Sequence, residues 1–158
     1  MIFPTVSGTA LSGQLHTLPF SLRGEFNIVV LAFEVVHQLL VQTWMSALED
    51  LQDLYPRLAF YEVPTLWPYS EEQRLIIDMG MRQAVANPLL EDHVIPLYVD
   101  KGLFRQLLDL PTENTIYLLL IDREGEVFWR TTGELTQEKL ESLIRTLDRV
   151  FDADNERL

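Results

Sequence analysis

Apolar residues fall along this chain in two alternating rhythms, and the alternation predicts strands and helices in turn. Asn27-Ile28-Val29-Val30-Leu31-Ala32-Phe33 is an almost unbroken, β-branched run, and it reads as a strand covered on both faces. Over residues 38–55 the spacing becomes helical. Val41, Trp44, Met45, Leu48, Leu51 and Tyr55 share one face, while Gln42, Glu49, Asp50 and Asp53 turn outward. Pro56 stops that helix, because a residue preceding proline is pushed out of the helical region. Leu58-Ala59-Phe60-Tyr61-Glu62-Val63 is the next strand, ended by Pro64. After a loop over 65–69, Ser70-Glu71-Glu72-Gln73 is a capping box, in which the serine oxygen takes the Gln73 amide and the glutamine reaches back. The helix it opens is predicted to run to about residue 86, where Asn87-Pro88 terminates it. Gly80 in its middle costs helix stability and marks a bend or a close contact.

The second half continues the rhythm. A strand over 94–99 and a helix over 102–108 precede a hairpin over 115–131, which turns at Asp122-Arg123-Glu124-Gly125. In the last helix Leu140, Leu143, Ile144, Leu147, Val150 and Phe151 form one stripe, and Glu141, Arg145, Asp148 and Arg149 lie opposite. Residues 152–158 read as a polar tail that frays, and residues 1–24 as an extension of short, edge-like strands joined by Gly- and Pro-rich turns. Strands alternating with helices imply right-handed crossovers and parallel pairing, to which the hairpin adds antiparallel strands. The prediction is a single α/β domain over 1–158, a three-layer sandwich whose mixed sheet carries helices on both faces.

Composition narrows the function. The chain has 158 residues, 47% of them hydrophobic, with 24 Asp and Glu against 12 Lys and Arg and a net charge of −12. Nucleic acid is excluded as a partner, because a phosphate footprint is built from clustered cations. Anionic membrane surfaces are disfavoured for the same reason. The longest apolar stretch, 26–36, is broken by Asn27 and Glu34 and is too short to span a bilayer. No basic segment leads into an apolar one at the start, so the expected compartment is the cytoplasm. The chain contains no cysteine.

The order strand, helix, strand, helix, strand, helix, hairpin, helix resembles the thioredoxin superfamily, especially its peroxiredoxin-like and TlpA-like branch. Leu18-Pro19 before Gly24 looks like that branch's beginning, and Ile121-Asp122-Arg123-Glu124-Gly125-Glu126-Val127 looks like its hairpin. The resemblance implies a catalytic cysteine just after strand 27–33, where this chain reads Glu34-Val35-Val36-His37-Gln38-Leu39-Leu40. It also implies a cis-proline before the hairpin, where this chain reads Asn114-Thr115-Ile116. With no side chain able to supply a thiolate, a peroxidase or disulfide reductase is ruled out.

A closer resemblance is to the mitochondrial ATP synthase assembly factors and their bacterial relatives. It rests on Tyr61-Glu62-Val63-Pro64-Thr65, Ile77-Asp78-Met79-Gly80-Met81-Arg82, and Leu97-Tyr98-Val99-Asp100-Lys101 followed by Phe104. It continues through Leu120-Ile121-Asp122 to Arg130 and Gly133. This resemblance implies a thioredoxin-like body that acts without the cysteine pair, as a protein-binding, chaperone-like assembly factor. The expected partner is a protein or peptide client, with the factor itself a monomer or homodimer.

Two sets of residues are candidates for the site. His37 occupies the vacated redox position with Glu34 beside it. As alternatives to a helix-start polar residue, the pair would serve a non-thiol enzyme or a small-ligand binder. His16, His37 and His93 are too scattered to set metal geometry, and no glycine pattern cradles a phosphate, so neither metal nor cofactor is expected. The second set surrounds the loop between strand 58–63 and the following helix: Tyr61, Glu62, Trp67 and Tyr69, with Asp78, Met81 and Arg82 on the helix. In open α/β sheets ligands lie beyond the carboxyl ends of strands, so residues 34–44 and 61–82 would border one groove. Its aromatics would offer rigid contact area, with Trp44 as support behind them. Asp78 and Arg82, four apart on one helix, are placed to pair with each other. A further alternative is a structural subunit that self-associates through its body.

Overall fold

The computed structural model describes residues 1–85 and 87–156, with side chains to Asp152. Along the chain these form β1 (Val6–Thr9), β2 (Leu15–Leu18), β3 (Phe26–Ala32), α1 (Gln38–Leu54), β4 (Leu58–Leu66), α2 (Glu71–Ala84), β5 (Leu97–Tyr98), α3 (Lys101–Leu107), β6 (Tyr117–Asp122), β7 (Val127–Thr132) and α4 (Gln137–Glu156). Short 3-10 turns fall at Val35–His37 and Pro88–His93. The main sheet has the order β5-β4-β3-β6-β7. β3 runs parallel to β4 and antiparallel to β6, while β4 is parallel to β5 and β6 antiparallel to β7. This is the mixed α/β sheet of a thioredoxin-like fold.

Alternation along the central strands divides the core. Ile28, Val30, Phe60, Leu118 and Leu120 face α1 and α4, whose Val41, Trp44, Leu48, Leu143 and Leu147 pack against them. Val29, Leu31, Tyr61, Val63, Leu119 and Ile121 face the opposite layer, made by Phe3, Leu18 and Leu22 with Phe104 of α3 and Leu108 just beyond it. Each large side chain fully buried this way contributes about 1.5–3 kcal/mol, which is why the unbroken run of β3 sits at the centre of the sheet. Its one polar member, Asn27, is fully buried and satisfied. Its Oδ1 accepts from the Gly24 N–H at 2.9 Å, and its Nδ2 donates to the Gly24 carbonyl at 2.9 Å.

Several expected boundaries are corrected. Pro64 does not end β4, which continues to Leu66. Its missing N–H falls between the isolated Glu62–Val94 bridge and the Thr65–Leu97 pair, where the ladder to β5 is already interrupted. For the same reason β5 is two residues rather than the six of 94–99. Within residues 1–24 the short strands β1 and β2 pair as a hairpin, and the segment is tied to the body: Phe3 is 1% exposed and its N–H donates to the Gly125 carbonyl at 2.7 Å. The backbone of α4 is helical through Glu156, within the expected polar tail. The far end of the expected tail, residues 157 and 158, and the expected helix terminus at residue 86 lie outside the described residues.

A groove between α1 and an inverted helix

Beyond the end of β3 the chain turns through Glu34 into the 3-10 turn that starts α1. His37 is buried, and its Nδ1 accepts from the backbone N–H of Phe33 at 3.1 Å and of Glu34 at 3.2 Å. The ring proton therefore sits on Nε2, which faces Glu34 Oε2 at 3.8 Å. Glu34 in turn accepts from the His37 backbone, closing a capping box. Nδ1 is thus spent on holding the turn, and Nε2 faces the Glu34 carboxylate beyond hydrogen-bond distance. The residue singled out as a catalytic candidate braces the turn through its Nδ1.

On the other side of β3's end, Lys101 is buried at the start of α3. Its Nζ donates to the Phe33 carbonyl at 3.1 Å and pairs with Glu113 Oε1 at 3.1 Å. It also stands 5.7 Å from the Trp67 ring centre. The region after β3 is therefore filled by a braced turn and an ion pair.

α2 is the unusual element. Its capping box forms as expected, with the Gln73 N–H donating to Ser70 Oγ at 3.3 Å. None of its residues is buried. The helix docks through its polar side. Tyr98 donates its hydroxyl to Asp78 Oδ1 at 2.5 Å, and the Arg74 guanidinium lies over the Tyr98 ring at 4.9 Å. Arg74 Nε donates to the Tyr69 carbonyl at 2.7 Å, and Arg82 Nε to the Leu11 carbonyl at 2.8 Å. Asp78 and Arg82 each take a partner in the body instead of pairing with each other, because tertiary acceptors and donors lie along the same stripe. Burial and the Asp78 carboxylate push the Tyr98 hydroxyl well above the usual tyrosine range. Its half-buried stripe mixes Arg74 and Asp78 with Ile77 and Met81, and Leu75, Ile76 and Met79 are left more than half exposed.

Between α2 and α1 lies a groove of about 730 Å³. Its floor is Phe60, Glu62, Pro64 and Leu66, the alternate residues of β4 on the α1 side. Gln38, Gln42, Met45 and Glu49 form one wall, Ile76, Ile77, Gly80, Met81 and Ala84 the other. Tyr69, His93 and Glu34 complete the rim. Its volume falls within the range of ligand pockets, and most of its lining is apolar. Glu62 is its polar centre. Burial raises its carboxyl above the ordinary range, opposed by a hydrogen bond from Gln38. A Cβ at Gly80 would meet nothing within 4 Å, so that glycine widens the groove.

Of the residues expected to bind, the groove brings together Glu62, Tyr69 and Met81. Tyr61 is 1% exposed in the opposite core layer, and its hydroxyl accepts from the Arg23 N–H at 3.0 Å; a strand places neighbours on opposite faces. Trp67 is 44% exposed beside Lys101, outside the groove lining. Asp78 and Arg82 tether α2. Trp44 is fully buried and donates its indole N–H to the Gly133 carbonyl at 2.9 Å, as a support. Ile76, Ile77, Gln38, Gln42 and Lys101 were not singled out from sequence. The signal for the first two was an apolar face on α2, which reads from sequence as a buried stripe.

The profile of the ATP10 protein family matches residues 1–150. The chain belongs to the ATP10 protein family. Solved structures show the same fold. The exposed lipoprotein thioredoxin Etrx1 of Streptococcus pneumoniae is similar at 12% identity and a TM-score of 0.60, covering 92% of this chain and 99% of that one. StoA of Bacillus subtilis is similar at 13% identity and a TM-score of 0.57, covering 92% and 98%. A thiol-disulfide oxidoreductase of Bacteroides fragilis is similar at 12% identity and a TM-score of 0.57, covering 93% and 99%. No curated protein matches the sequence. This ATP10-family chain keeps the fold of these proteins while having no cysteine of its own. Among the described residues, no helix is long and apolar enough to cross a membrane, and no group of His, Cys, Asp or Glu is placed to hold a metal ion.

Proposed function

We propose that this protein is an ATP synthase assembly factor that holds an apolar segment of a client protein without bond chemistry. The observation that carries this reading is α2 itself. A helix normally buries its apolar stripe and exposes its polar one; here the polar residues Arg74, Asp78 and Arg82 hold the helix to the body while apolar residues line an open groove. A concave, mostly apolar cleft beside exposed Leu75, Ile76 and Met79 suits a place where another molecule sits. Membership of the ATP10 protein family supports an ATP synthase subunit as the client, and the absence of cysteine removes thiol chemistry.

Gly80 supplies the test. A tryptophan at this position projects into empty groove and replaces a poor helix residue with a better one. Affinity capture of wild type from its native cells should enrich an ATP synthase subunit, and Gly80→Trp, verified as folded, should lose it. Capture in which no ATP synthase subunit is enriched over a tag-only control overturns the reading.

A further inference from the structure

The groove has a sign as well as a shape. Its described lining residues include Glu34, Glu49 and Glu62 and no lysine or arginine. Glu34 is about half exposed at the rim, whereas Glu62 rises from the floor between Phe60 and Pro64, with Gln38 supplying a neutral hydrogen bond. A carboxylate in such a place costs free energy unless a cation meets it. Carboxylates clustered among low-dielectric walls also focus a negative potential into the cleft.

Backbone accounting decides the conformation of the occupant. Beneath the groove β4 pairs with β3 from Leu58 to Pro64 on one side; on the other, the Ile95 N–H donates to the Glu62 carbonyl at 2.9 Å, the Phe60 carbonyl meets His93 Nδ1 at 2.8 Å, and Thr65 and Leu66 pair with β5. The groove floor is thus a sheet face made of side chains, with no strand edge to pair. An extended segment entering it would bury peptide groups without partners, whereas a helix satisfies its own. The two helical walls suit a third helix laid between them, α2 being 14 residues long, or about 21 Å at the α-helical rise.

We infer that the groove receives an apolar α-helix carrying one basic side chain midway along it, and that Glu62 receives that cation. This assignment rests on the client-holding reading and names the chemistry of the client. An apolar helix with a single buried cation is a segment that aggregates or misplaces its charge when alone in water. The groove covers its apolar face and neutralises the charge in one step. Burial raises the Glu62 carboxyl in the free protein and a neighbouring cation favours its ionised form, so with His93, Glu34 and Glu49 also lining the groove, affinity for the basic helix rises with pH as Glu62 ionises.

The test uses three synthetic helical peptides of one leucine- and alanine-rich sequence: arginine at the centre, glutamine at the centre, and arginine moved to the terminus. Binding is measured by fluorescence anisotropy against wild type, Glu62→Gln and, as a charge control away from the groove, Glu138→Gln. The central-arginine peptide should bind wild type at least about tenfold more tightly than the other two, as a buried charge pair requires. Glu62→Gln should abolish that ratio while still binding the glutamine peptide, and Glu138→Gln should preserve it. A ratio that survives in Glu62→Gln overturns the assignment, as does equal binding of both arginine peptides, which would mean attraction to net charge alone. If wild type binds none of the three, the helix-holding reading falls as well, so the two failures are distinguishable.

Discussion

The Tyr98 hydroxyl donates to Asp78 Oδ1 at 2.5 Å, and this bond ties the polar side of α2 to the body. A hydrogen bond to a charged acceptor is worth about 1.5–3 kcal/mol, whereas no apolar residue of the helix is fully buried. Tyr98→Phe should therefore raise hydrogen exchange across residues 71–84 by about tenfold or more, since 1.4 kcal/mol is one decade. The global Tm should move little, because α2 buries no side chain of the core. Exchange in α2 unchanged from wild type would mean that Arg74 and Arg82 hold it unaided.

Glu62 makes stability depend on pH in a stated direction. Burial raises its folded-state value above that of the unfolded chain, so the fold binds the proton more tightly. Stability is undiminished below the ordinary carboxylate range and is lost as pH rises through the raised folded value. Glu62→Gln removes the ionisation. Its Tm should match wild type near pH 4 and exceed it at pH 7.5, as read by thermal denaturation at both pH values. A variant less stable than wild type at pH 7.5 would mean that the ionised carboxylate is already compensated in the free protein.

Gly24 is held by contacts that admit no side chain. A Cβ there would lie 2.3 Å from the Phe26 carbonyl oxygen, 2.7 Å from Asn27 Oδ1 and 2.8 Å from the Ala59 nitrogen. Gly24→Ala should cost about 3 kcal/mol or more, since β3 and β4 must separate to admit it. Asn27→Leu should cost about 2–4 kcal/mol by stranding the Gly24 N–H and carbonyl in the core. Urea denaturation gives both values, and a loss below 1 kcal/mol in Gly24→Ala would show that the loop relaxes.

His37 acts through an acceptor, and an acceptor of similar reach should replace it. His37→Ala removes the partner of two backbone amides and should cost about 1–2 kcal/mol, the range for a lost cap. His37→Asn should recover much of that, because an amide oxygen can accept the same bonds. Equal loss in both variants would mean that the buried ring matters for packing rather than for its Nδ1.

The strength of each signal in the sequence matched how far local rules governed the outcome. β3 and α4 were readable because an unbroken apolar run and a sustained helical stripe have one solution each. β5 and the end of β4 were misjudged because Pro64 sits where the ladder was already broken, a fact of pairing that the strand alone does not carry. The groove was placed between the right segments, yet Tyr61 was assigned to it and belongs to the opposite layer. Nothing local in Phe60-Tyr61-Glu62 says which parity faces α1. Asp78 and Arg82 suggested a helix-surface pair, but Tyr98 and Leu11 reach them first. The inversion of α2 follows from those distant partners and was hidden for that reason.

The central claim is that the space between α1 and α2 holds an apolar segment of a client. Its most direct test is site-specific photo-cross-linking in cells, with the probe at Met81 in the groove and, for comparison, at Leu107, exposed on α3. The account predicts adducts from Met81 that map to an apolar helical segment of an ATP synthase subunit and disappear when Gly80→Trp fills the groove. Adducts at Met81 no stronger than at Leu107, or adducts indifferent to Gly80→Trp, would contradict it.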